Sequence, residues 1–432
     1  NRGILKYESI DSCLVFLPMI HGKQIITVEN LSQKQNQQVT LHPVQQALVD
    51  HDGSQCGYCT PGMVMSMCAL YRNYDQPDRH IITDALTGNL CRCTGYRPIV
   101  DAAYEVLNNK SKDQFDDDEE RITGLLNKII SKNRPIVIEA GGQQYLKPFT
   151  IEQALELRKA HPDALIVGGS TDVALKKKKK RIFLEKILDL SSVDELDFIV
   201  EDHHRLAIGS GTSLEELHQY TFDRFPYLHE RLRVFGSLQI RNMATIGGNI
   251  ATASPIGDLL PVLLVLDSEI RLMKKSGRRD LPLEDFITGY RQTDMEKDEI
   301  IAMVTFRKPS KSEIIKSYKI SKRKDLDISS ASGCFRLELD NSGIVKNIKC
   351  AFGGLAAMPK RAPETEDFLV GKAWNKVNVM EAAKILAGEF QPISDARSTA
   401  EARKIMAGNL LIRFWEDSGK QFQPDNNIAH AE

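Results

Sequence analysis

The sequence predicts a multi-domain α+β protein, with a helical block, an α/β block and a last α+β block. Its 432 residues exceed what a single hydrophobic core usually accommodates, so several domains are expected. Six of the eight cysteines lie within the first 93 residues, among strong helix-start signals. From about residue 135 strands alternate with helices, and beyond about residue 310 an alternating apolar and polar pattern precedes two helices.

The helical block is predicted over residues 31–110. Pro43 and Pro98 are expected in the first turns of two helices, and Thr60 as the N-cap of another. The charge-rich residues 111–134 that follow have few apolar side chains and predict a solvated linker.

The α/β block is predicted over residues 135–308 and the last block over residues 309–432. "IVIEA" and "ALIVGG" predict strands, and Thr150 with Gln153 predicts a capping box on the helix between them. In the last block "CFRLELD" and "NIKCAFGG" predict strands, and two helices close the chain in "KVNVMEAAKILAGEF" and "STAEARKIMAGNLLIRFWED".

Composition excludes several classes of partner and location. The formal net charge of −1 gives no electrostatic reason to expect nucleic acid or an anionic membrane as partner. No apolar run is long enough to span a bilayer, and the first residues lack the hydrophobic region of a signal peptide. Clustered cysteines without a sign of secretion favour metal ligation over disulfides, so we expect a reducing, cytoplasmic location.

Four cysteines form the pattern C-x2-C…C-x-C, in "GSQCGYCTPG" and "GNLCRCTGYRP": Cys56, Cys59, Cys91 and Cys93. Thiolates at such spacing bind tetrahedral zinc or an iron–sulfur cluster. The C-x-C half is tighter than in the usual structural zinc site, and four thiolates make one complete [2Fe–2S] site. Both halves precede predicted helix N-termini, whose free N–H groups suit an anionic cluster. Spacing alone leaves zinc and structural thiols as alternatives.

The other cysteines are predicted to be core residues. Cys68 lies nine positions after Cys59 on a predicted helix, which places it on the opposite face. Cys334 and Cys350 lie in strand-like apolar runs.

Two glycine-rich turns in the α/β block are candidate phosphate contacts: "VGGSTD" at 167–172 and "ATIGGN" at 244–249. Neither is a dinucleotide fingerprint or a P-loop. Consecutive glycines and hydroxyls after a strand can form a backbone nest for phosphate oxygens, although a plain tight turn is the alternative for each. Ser213 with Glu216 predicts a helix start, and the basic run 176–181 a solvated surface.

These motifs resemble one known family. "GSQCGYCTPGMVMSM" and "GNLCRCTGYRPI" resemble the second [2Fe–2S] domain of the xanthine dehydrogenase and aldehyde oxidase family, the molybdenum hydroxylases. "VGGSTDVAL" and "IRNMATIGGNIATASPIGDLLP" resemble its two flavin-pyrophosphate loops, and "SKRKDLDIS", "AFGGLAAMPKRA" and "GNLLIRFWED" resemble its C-terminal flavin region. The resemblance covers nearly the whole chain and implies a helical [2Fe–2S] domain, an FAD-binding domain and a C-terminal flavoprotein domain.

The resemblance implies a set of site residues. It makes Cys56, Cys59, Cys91 and Cys93 the ligands of one [2Fe–2S] cluster. It assigns FAD contacts to Val167, Gly168, Gly169, Ser170, Thr171, Asp172, Thr245, Gly247, Gly248, Asn249 and Asp258, with Phe235 stacked on the isoalloxazine ring. Lys319 and Asp325 fall near a flavin-proximal segment, with an exposed basic–acidic loop as the alternative. Nothing in the sequence assigns a catalytic residue.

The start of the chain departs from the family pattern. The family opens with a plant-type ferredoxin domain, and residues 1–30 resemble only its end. Cys13 matches the fourth ligand of that domain's cluster, and one cysteine cannot hold a [2Fe–2S] cluster. We therefore expect a second cluster whose other ligands precede Asn1.

The implied function is electron transfer within a xanthine dehydrogenase, because iron–sulfur and flavin motifs without a molybdenum portion resemble the small subunit of bacterial two-subunit forms. A partner chain would hold molybdopterin and hydroxylate hypoxanthine and xanthine to urate. Electrons would pass through [2Fe–2S] clusters to FAD and on to NAD⁺. We expect a dimer of heterodimers, with Tyr58, Thr94 and Arg97 as candidate partner contacts or, alternatively, packing residues of the helical domain.

Other interpretations stay open at this point. The partner chain would set the substrate, so the chain could serve an aldehyde or N-heterocycle oxidase equally well. Oxygen could replace NAD⁺ as the acceptor. From a different class, a non-enzymatic zinc-binding scaffold with a degenerate nucleotide pocket would carry the same cysteine spacing.

Overall fold

The computed structural model describes residues 5–35, 38–129 and 133–419. The outermost parts of the predicted first and last domains, 1–4 and 420–432, lie outside the described residues, as does 130–132 of the predicted linker. Within the described ranges, no helix combines the length and apolar character that crossing a membrane requires.

The first block is helical, as predicted. Short 3-10 turns occupy Ser12–Leu14, Leu17–Ile20 and Val28–Asn30, and a small antiparallel pair is formed by β1 (Gln33–Gln35) and β2 (Gln38–Thr40). The helices are α1 (Pro43–Asp50), α2 (Thr60–Asn73), α3 (Arg79–Leu86), α4 (Arg97–Asn108) and α5 (Gln114–Ile129).

The core of this block lies where the apolar faces of α1 to α4 meet. Met67, Ile82, Ile99 and Leu107 are almost fully buried there. Pro43 and Pro98 lie in the first turns of α1 and α4, as predicted, since a proline lacks only an N–H that the first turn leaves unpaired.

The predicted linker is a helix in the structure. Residues 114–129 form α5, whose first turn is anchored by Phe115, 4% exposed. The preceding Asp113 accepts hydrogen bonds from His42 Nε2 at 3.0 Å and Arg72 Nη1 at 2.9 Å. The charged composition correctly indicated solvation of most of α5, but this long-range anchor orders the segment.

The second block contains two larger sheets and a two-stranded antiparallel pair of β11 and β12. Its elements are β3 (Ile136–Ala140), β4 (Gln143–Lys147), α6 (Ile151–Ala160), β5 (Leu165–Val167), α7 (Val173–Lys178), β6 (Lys186–Asp189), a 3-10 turn (Asp194–Leu196), β7 (Ile199–Glu201), β8 (Arg205–Gly209), α8 (Leu214–Thr221), α9 (Pro226–Arg233), α10 (Leu238–Met243), α11 (Ile246–Thr252), α12 (Leu260–Val265), β9 (Glu269–Lys274), β10 (Gly277–Pro282), α13 (Leu283–Phe286), β11 (Ile287–Gly289), β12 (Gln292–Thr293) and β13 (Ile300–Arg307).

The first sheet has the order β3-β4-β6-β5, with parallel pairing of β6 to both β4 and β5. The second sheet is antiparallel in the order β10-β9-β13-β8-β7. "IVIEA" and "ALIV" are confirmed as β3 and β5. The Thr150 and Ser213 side chains accept from the amides of Gln153 and Glu216, so both predicted helix starts are confirmed.

The basic run 176–181 begins in the short helix α7 and is exposed over residues 177–181, as predicted. Residues 15–19 of the N-terminal segment pack on the first sheet, whereas Tyr7 and Val28 pack against the helical block. Met19 and the half-buried Phe16 contact Tyr145 and Val167 of that sheet.

The third block packs helices on an antiparallel sheet of order β14-β15-β16-β17. Its elements are β14 (Glu313–Ile320), β15 (Ala331–Leu339), β16 (Val345–Gly353), β17 (Lys360–Arg361), α14 (Pro363–Leu369), α15 (Lys376–Glu389) and α16 (Ala400–Gly419). Phe335 of β15 stacks on Phe414 of α16 with ring centroids 5.0 Å apart. Cys334 and Cys350 are fully buried in the sheet, so their predicted core role is confirmed.

Candidate functional site

The two cysteine loops each end at the N-terminus of a helix. α2 begins at Thr60, one residue before the predicted position, because Cys59 itself is the N-cap. α4 begins at Arg97. Gly57 and Gly95 have φ of +79° and +69°, where a β-carbon would be strained, so both loops require glycine at their tightest bends.

A third glycine brings the two loops together. A β-carbon on Gly62, in the first turn of α2, would lie 2.5 Å from Asn89 Oδ1 in the loop before Cys91. Asn89 is held in turn by its amide nitrogen, which donates to Ser66 Oγ at 2.8 Å. The absence of a side chain at Gly62 therefore lets the second loop approach the first.

The four thiols form two pairs, each joining one loop to the other. Cys56 interacts with Cys93 through their thiol groups, and Cys59 with Cys91. In the ranges that the structure describes, no group of three or more His, Cys, Asp or Glu side chains is placed to hold one metal ion. Two thiols from each loop, paired across the loops, match two irons with two thiolates each.

The local electrostatics distinguish Cys91 from Cys68. The Thr94 hydroxyl lies 3.2 Å from Cys91 Sγ and lowers the pKa of the Cys91 thiol to about 7. Burial raises the pKa of Cys68 to about 12, and this side chain is 3% exposed in the helical core. The thiolate is the form that binds a metal, and burial of Cys68 in the core disfavours that form. The predicted core role of Cys68 is confirmed.

The first glycine turn lies at the carboxyl edge of the first sheet. Lys147 and Asp189, at the ends of β4 and β6, form a fully buried ion pair of 2.9 Å, and Tyr145 donates to the same carboxylate oxygen at 2.9 Å. The Leu190 amide donates to the Val167 carbonyl at 2.8 Å. These contacts fix the strand end from which the turn begins.

The backbone amides of this turn make no hydrogen bond within the described part of the chain. Among the described residues, no acceptor takes the amides of residues 168–172. Ser170 has φ of +62°, in the left-handed region, and its hydroxyl donates to the Leu14 carbonyl. Successive free amides around a left-handed residue form the kind of concave nest that binds phosphate oxygens.

The second glycine turn differs from the expectation in one respect. The Gly247 amide donates to the Ser210 carbonyl at 3.0 Å, and the Gly248 amide donates to Thr245 Oγ1 at 3.1 Å as part of the N-cap of α11. These two amides are therefore committed within the protein rather than turned toward a phosphate. Asn249 Oδ1, by contrast, is a buried acceptor with no partner among the described residues, as expected of a ligand contact.

The two turns pack against each other at their glycines. A β-carbon on Gly169 would lie 1.6 Å from the Met243 carbonyl oxygen, and one on Gly168 would lie 2.7 Å from Thr245 Oγ1. The structure thus brings both predicted turns together. Thr171 and Asp172 lie half-buried beside them.

Asp258 and Lys319 are brought together as an ion pair of 2.8 Å. The pair is attached to the loop of Phe235, because Lys319 Nζ also donates to the Val234 carbonyl at 3.2 Å. Phe235 is half-buried against the core of the second block. Lys319 lies on β14 and is nearly buried, so its interpretation as an exposed loop residue is wrong; Asp325 lies in the loop after β14.

Several residues of this region were not singled out from the sequence. Ser329 donates to Asp258 Oδ1 at 2.5 Å. Arg231 is 4% exposed below the ion pair, and its Nη1 has no partner in the described part of the chain. Arg241 and Gln239 lie on α10, and no local pattern in the sequence distinguishes them from exposed polar residues of a short helix.

Family models match the chain in three consecutive parts. A [2Fe-2S] binding domain matches residues 27–104, and the FAD binding domain in molybdopterin dehydrogenase matches residues 139–308. The CO dehydrogenase flavoprotein C-terminal domain matches residues 316–418. The chain belongs to the xanthine dehydrogenase and molybdenum hydroxylase family.

Individual molybdenum hydroxylases resemble the chain over almost its full length. Xanthine dehydrogenase of Emericella nidulans is 32% identical over 98% of this chain and 35% of its own length. Aldehyde oxidase 2 of Macaca fascicularis is 28% identical over 96% of this chain and 34% of its own length. The chain thus spans about a third of the length of these curated relatives.

A solved structure shares the fold of about two thirds of the chain. Carbon monoxide dehydrogenase from Hydrogenophaga pseudoflava, in a form that lacks the Mo-pyranopterin moiety of its cofactor, aligns with a TM-score of 0.60 and 26% identity. The alignment covers 65% of this chain and 96% of the solved chain.

The described residues fit both groups that these domains bind in molybdenum hydroxylases. The paired thiols fit a [2Fe–2S] cluster, and the free amides with the orphaned Asn249 acceptor fit the pyrophosphate and polar edge of FAD. The alternative of a non-enzymatic zinc-binding scaffold finds no support in these domains.

Proposed function

We propose that this chain is the electron-transfer subunit of a cytoplasmic xanthine dehydrogenase. It would take electrons from a molybdopterin site on a partner subunit and deliver them to NAD⁺. The proposal depends on two features of one chain: the four paired thiols of the cysteine loops and the free amides of the first glycine turn. The domains that carry them are in direct contact. Identity of 32% to a xanthine dehydrogenase over nearly the whole chain supports the choice of activity.

The proposed cluster ligands are Cys56, Cys59, Cys91 and Cys93. When bound, a [2Fe–2S] cluster passes single electrons, and FAD collects two and exchanges them with NAD⁺ as a hydride. Each iron would take one thiolate from each loop, and the N-termini of α2 and α4, which follow the two loops, would stabilise the anionic group through their positive dipole ends.

The proposed flavin contacts fall into two sets. The free amides of residues 168–172 would bind the pyrophosphate, and Asn249 Oδ1 would accept a hydrogen bond from the cofactor. Phe235 would stack on the isoalloxazine ring. The Asp258–Lys319 pair would hold the Phe235 loop in place, since Lys319 also binds the carbonyl of the residue before it.

A second [2Fe–2S] cluster, with Cys13 as one ligand, belongs to the same proposal. Cys13 is exposed, and its neighbour Leu14 accepts the hydrogen bond of Ser170 in the first glycine turn. A cluster held at Cys13 would therefore lie close to the flavin. One thiolate is a quarter of the set such a cluster needs, so its other ligands must come from outside the described residues.

The partner subunit would contact the cysteine loops. Tyr58, between the two cysteines of the first loop, is 95% exposed, and Arg97 at the start of α4 is 90% exposed at its side chain. Aromatic and arginine side chains are the residues most often found at the centres of interfaces. Thr94 is half-buried and contacts Cys91, which favours packing within the helical domain. The assembled enzyme would be a dimer of heterodimers.

A second candidate is the equivalent subunit of another molybdenum hydroxylase, because an aldehyde oxidase matches the chain almost as fully as xanthine dehydrogenases do. In that case the partner subunit would accept an aldehyde or an N-heterocycle. Oxygen instead of NAD⁺ would be the acceptor if the flavin edge excludes the nicotinamide.

The test is purification of the chain with its partner, followed by iron, sulfide, flavin and molybdenum analysis. The complex is expected to reduce NAD⁺ with xanthine. The chain alone is expected to oxidise NADH with an artificial dye and to leave xanthine unchanged. Turnover of aldehydes but not xanthine by the complex would favour the second candidate, and an iron-free chain would contradict both.

A further inference from the structure

A single buried guanidinium connects the cysteine domain to the flavin loop. Arg241 lies on α10 of the second block and is 0% exposed. Leu238, on the same helix, packs into the core of the helical block, so α10 is one of the elements that join the two domains.

Arg241 donates to partners on three elements. Its Nε donates to Glu215 Oε2 at 2.7 Å, at the start of α8. Its Nη2 and Nη1 both contact the carboxylate of Asp84 on α3 of the helical block, the latter at 3.5 Å. Its Nη1 also donates to the carbonyls of Gly236, at 2.7 Å, and Arg233, at 3.4 Å.

The last two carbonyls flank Phe235, the proposed flavin-stacking residue. One planar group therefore holds the helix that leads into the second cysteine loop, through Asp84, and the loop that carries Phe235. Asp84 lies two residues before the end of α3, and Cys91 follows seven residues later along the chain. Displacement of either side would break hydrogen bonds to the same buried charge.

The contact depends on arginine specifically. A guanidinium presents its N–H groups in a rigid fork that matches a carboxylate on one side and other acceptors at fixed angles, whereas an ammonium is a flexible point charge. Burial lowers and the charges of Glu215 and Asp84 raise the pKa of Arg241, with a net rise, so the group stays charged.

Gln239, two residues before Arg241 on α10, supports the same junction. Its side-chain amide donates to Ser66 Oγ of α2 at 3.0 Å and to the Ala85 carbonyl of α3 at 2.9 Å. A β-carbon on Gly88, just after α3, would lie 2.0 Å from Gln239 Oε1. Gln239 and Arg241 together thus hold the cysteine domain in one position.

We propose that Arg241 is a positioning residue that fixes the cluster-bearing helical domain relative to the flavin loop and thereby sets the rate at which electrons pass between flavin and cluster. This inference rests on the proposed electron-transfer function. Electron tunnelling falls steeply with distance, so a small shift of α3 relative to Phe235 would slow the passage without removing either cofactor.

The experiment uses the purified holo-chain in its complex and three variants: Arg241→Lys, Asp84→Asn and the control Arg271→Lys. Arg271 forms an ion pair with Asp280 on the outer sheet of the same block. Rapid mixing with NADH gives two rates, that of flavin bleaching and that of cluster reduction. NADH supplies two electrons as a hydride to the flavin, which passes them on one at a time to two clusters. Amide hydrogen exchange of residues 84–96 and 233–238 gives a readout independent of activity.

Arg241→Lys is expected to retain FAD and iron and to bleach flavin at the wild-type rate. Cluster reduction is expected to slow on the order of tenfold or more, with faster amide exchange in both segments. Asp84→Asn is expected to show the same split with a smaller change, and it tests the proposal if Arg241→Lys fails to fold. Combining the two changes should give less than additive slowing, because they break one contact.

Wild-type cluster reduction in both folded variants would overturn the proposal while leaving the proposed function intact. So would loss of FAD together with both rates, since that outcome assigns Arg241 a purely structural role. Wild-type protein that shows no electron passage from flavin to cluster would instead overturn the proposed function itself.

Discussion

Lys319 Nζ lies 2.8 Å from Asp258 Oδ2, and both side chains are only 6% exposed. Lys319 belongs to β14 of the third block, whereas Asp258 precedes α12 of the second, so the pair joins two domains. Ser329 donates to the other carboxylate oxygen, and the Val234 carbonyl accepts from the ammonium. The ion pair therefore links the last domain to the loop of Phe235.

Replacing Lys319 by Met is expected to destabilise this junction. It leaves the Asp258 carboxylate buried without its cation, a change that costs about 3 kcal/mol of unfolding free energy in comparable sites. The Phe235 loop loses its contact to Val234, so FAD content should fall as well. Thermal unfolding and the ratio of released flavin to protein measure both effects.

The control is Arg271→Met, which breaks a more exposed ion pair with Asp280. Exposed pairs contribute about 0–1 kcal/mol, and flavin content should not change. If Lys319→Met behaves like this control, the pair has no role at the flavin.

The proposed cluster ligands predict that replacing different cysteines affects the cluster differently. Cys91→Ser or Cys93→Ser is expected to abolish the paramagnetic signal of the reduced [2Fe–2S] cluster, because each removes one of four thiolates. Cys68→Ala should keep the signal at some cost in stability, since Cys68 is a buried core residue whose thiol pKa is raised to about 12. Electron paramagnetic resonance and iron analysis of each variant measure whether the cluster is present. An intact signal in Cys93→Ser would refute the ligand set.

The sequence predicts candidate site residues wherever the pattern is local. The C-x2-C…C-x-C spacing and the glycine turns are short patterns, and the structure brings the two cysteine loops together and packs the two glycine turns against each other. Long-range contacts were out of reach. Arg241 is separated from Asp84 by 157 positions, and no periodicity along the chain connects them.

Long-range contacts also explain where the structure differs in detail from the sequence-based predictions. Composition predicts a linker over residues 111–134, yet a contact from Asp113 to His42, 71 positions away, orders residues 114–129 as a helix. The glycines at 247 and 248 were recognised, but the direction of their amides is set by Ser210 and by the N-cap of α11. Glycine residues indicate that a backbone segment can adopt unusual conformations, but they do not indicate the direction of its N–H groups.

Gly248→Val is expected to give a folded protein with little FAD. A β-carbon at Gly248 would meet only Thr245 Oγ1, at 3.0 Å, and the position is exposed at the rim of the second turn. The added side chain would therefore occupy the cofactor's space rather than the protein's. Released flavin per protein and a wild-type circular dichroism spectrum are the measurements.

Two further variants make this result interpretable. Gly169→Ala should lose FAD by distorting the turns themselves, because its β-carbon would lie 1.6 Å from the Met243 carbonyl oxygen. Gly124→Val, in the exposed part of α5 with open space around it, should keep full flavin content. Full flavin content in Gly248→Val would contradict the two-turn model of FAD binding.

The exposure of Tyr58 predicts where the proposed partner subunit binds. Its side chain is 95% exposed between two proposed cluster ligands, a position that leaves a large aromatic surface uncovered in the isolated chain. Truncation of an aromatic residue at the centre of an interface typically costs about 2 kcal/mol or more, so Tyr58→Ser should weaken the complex roughly thirtyfold or more.

The matched control is Tyr290→Ser, at a tyrosine 63% exposed in the turn between β11 and β12 of the flavin domain. Sedimentation of the mixed subunits measures the association, and the visible spectrum verifies that the cluster is retained in both variants. Equal association of the two variants, with the cluster intact, would place the partner elsewhere on the chain.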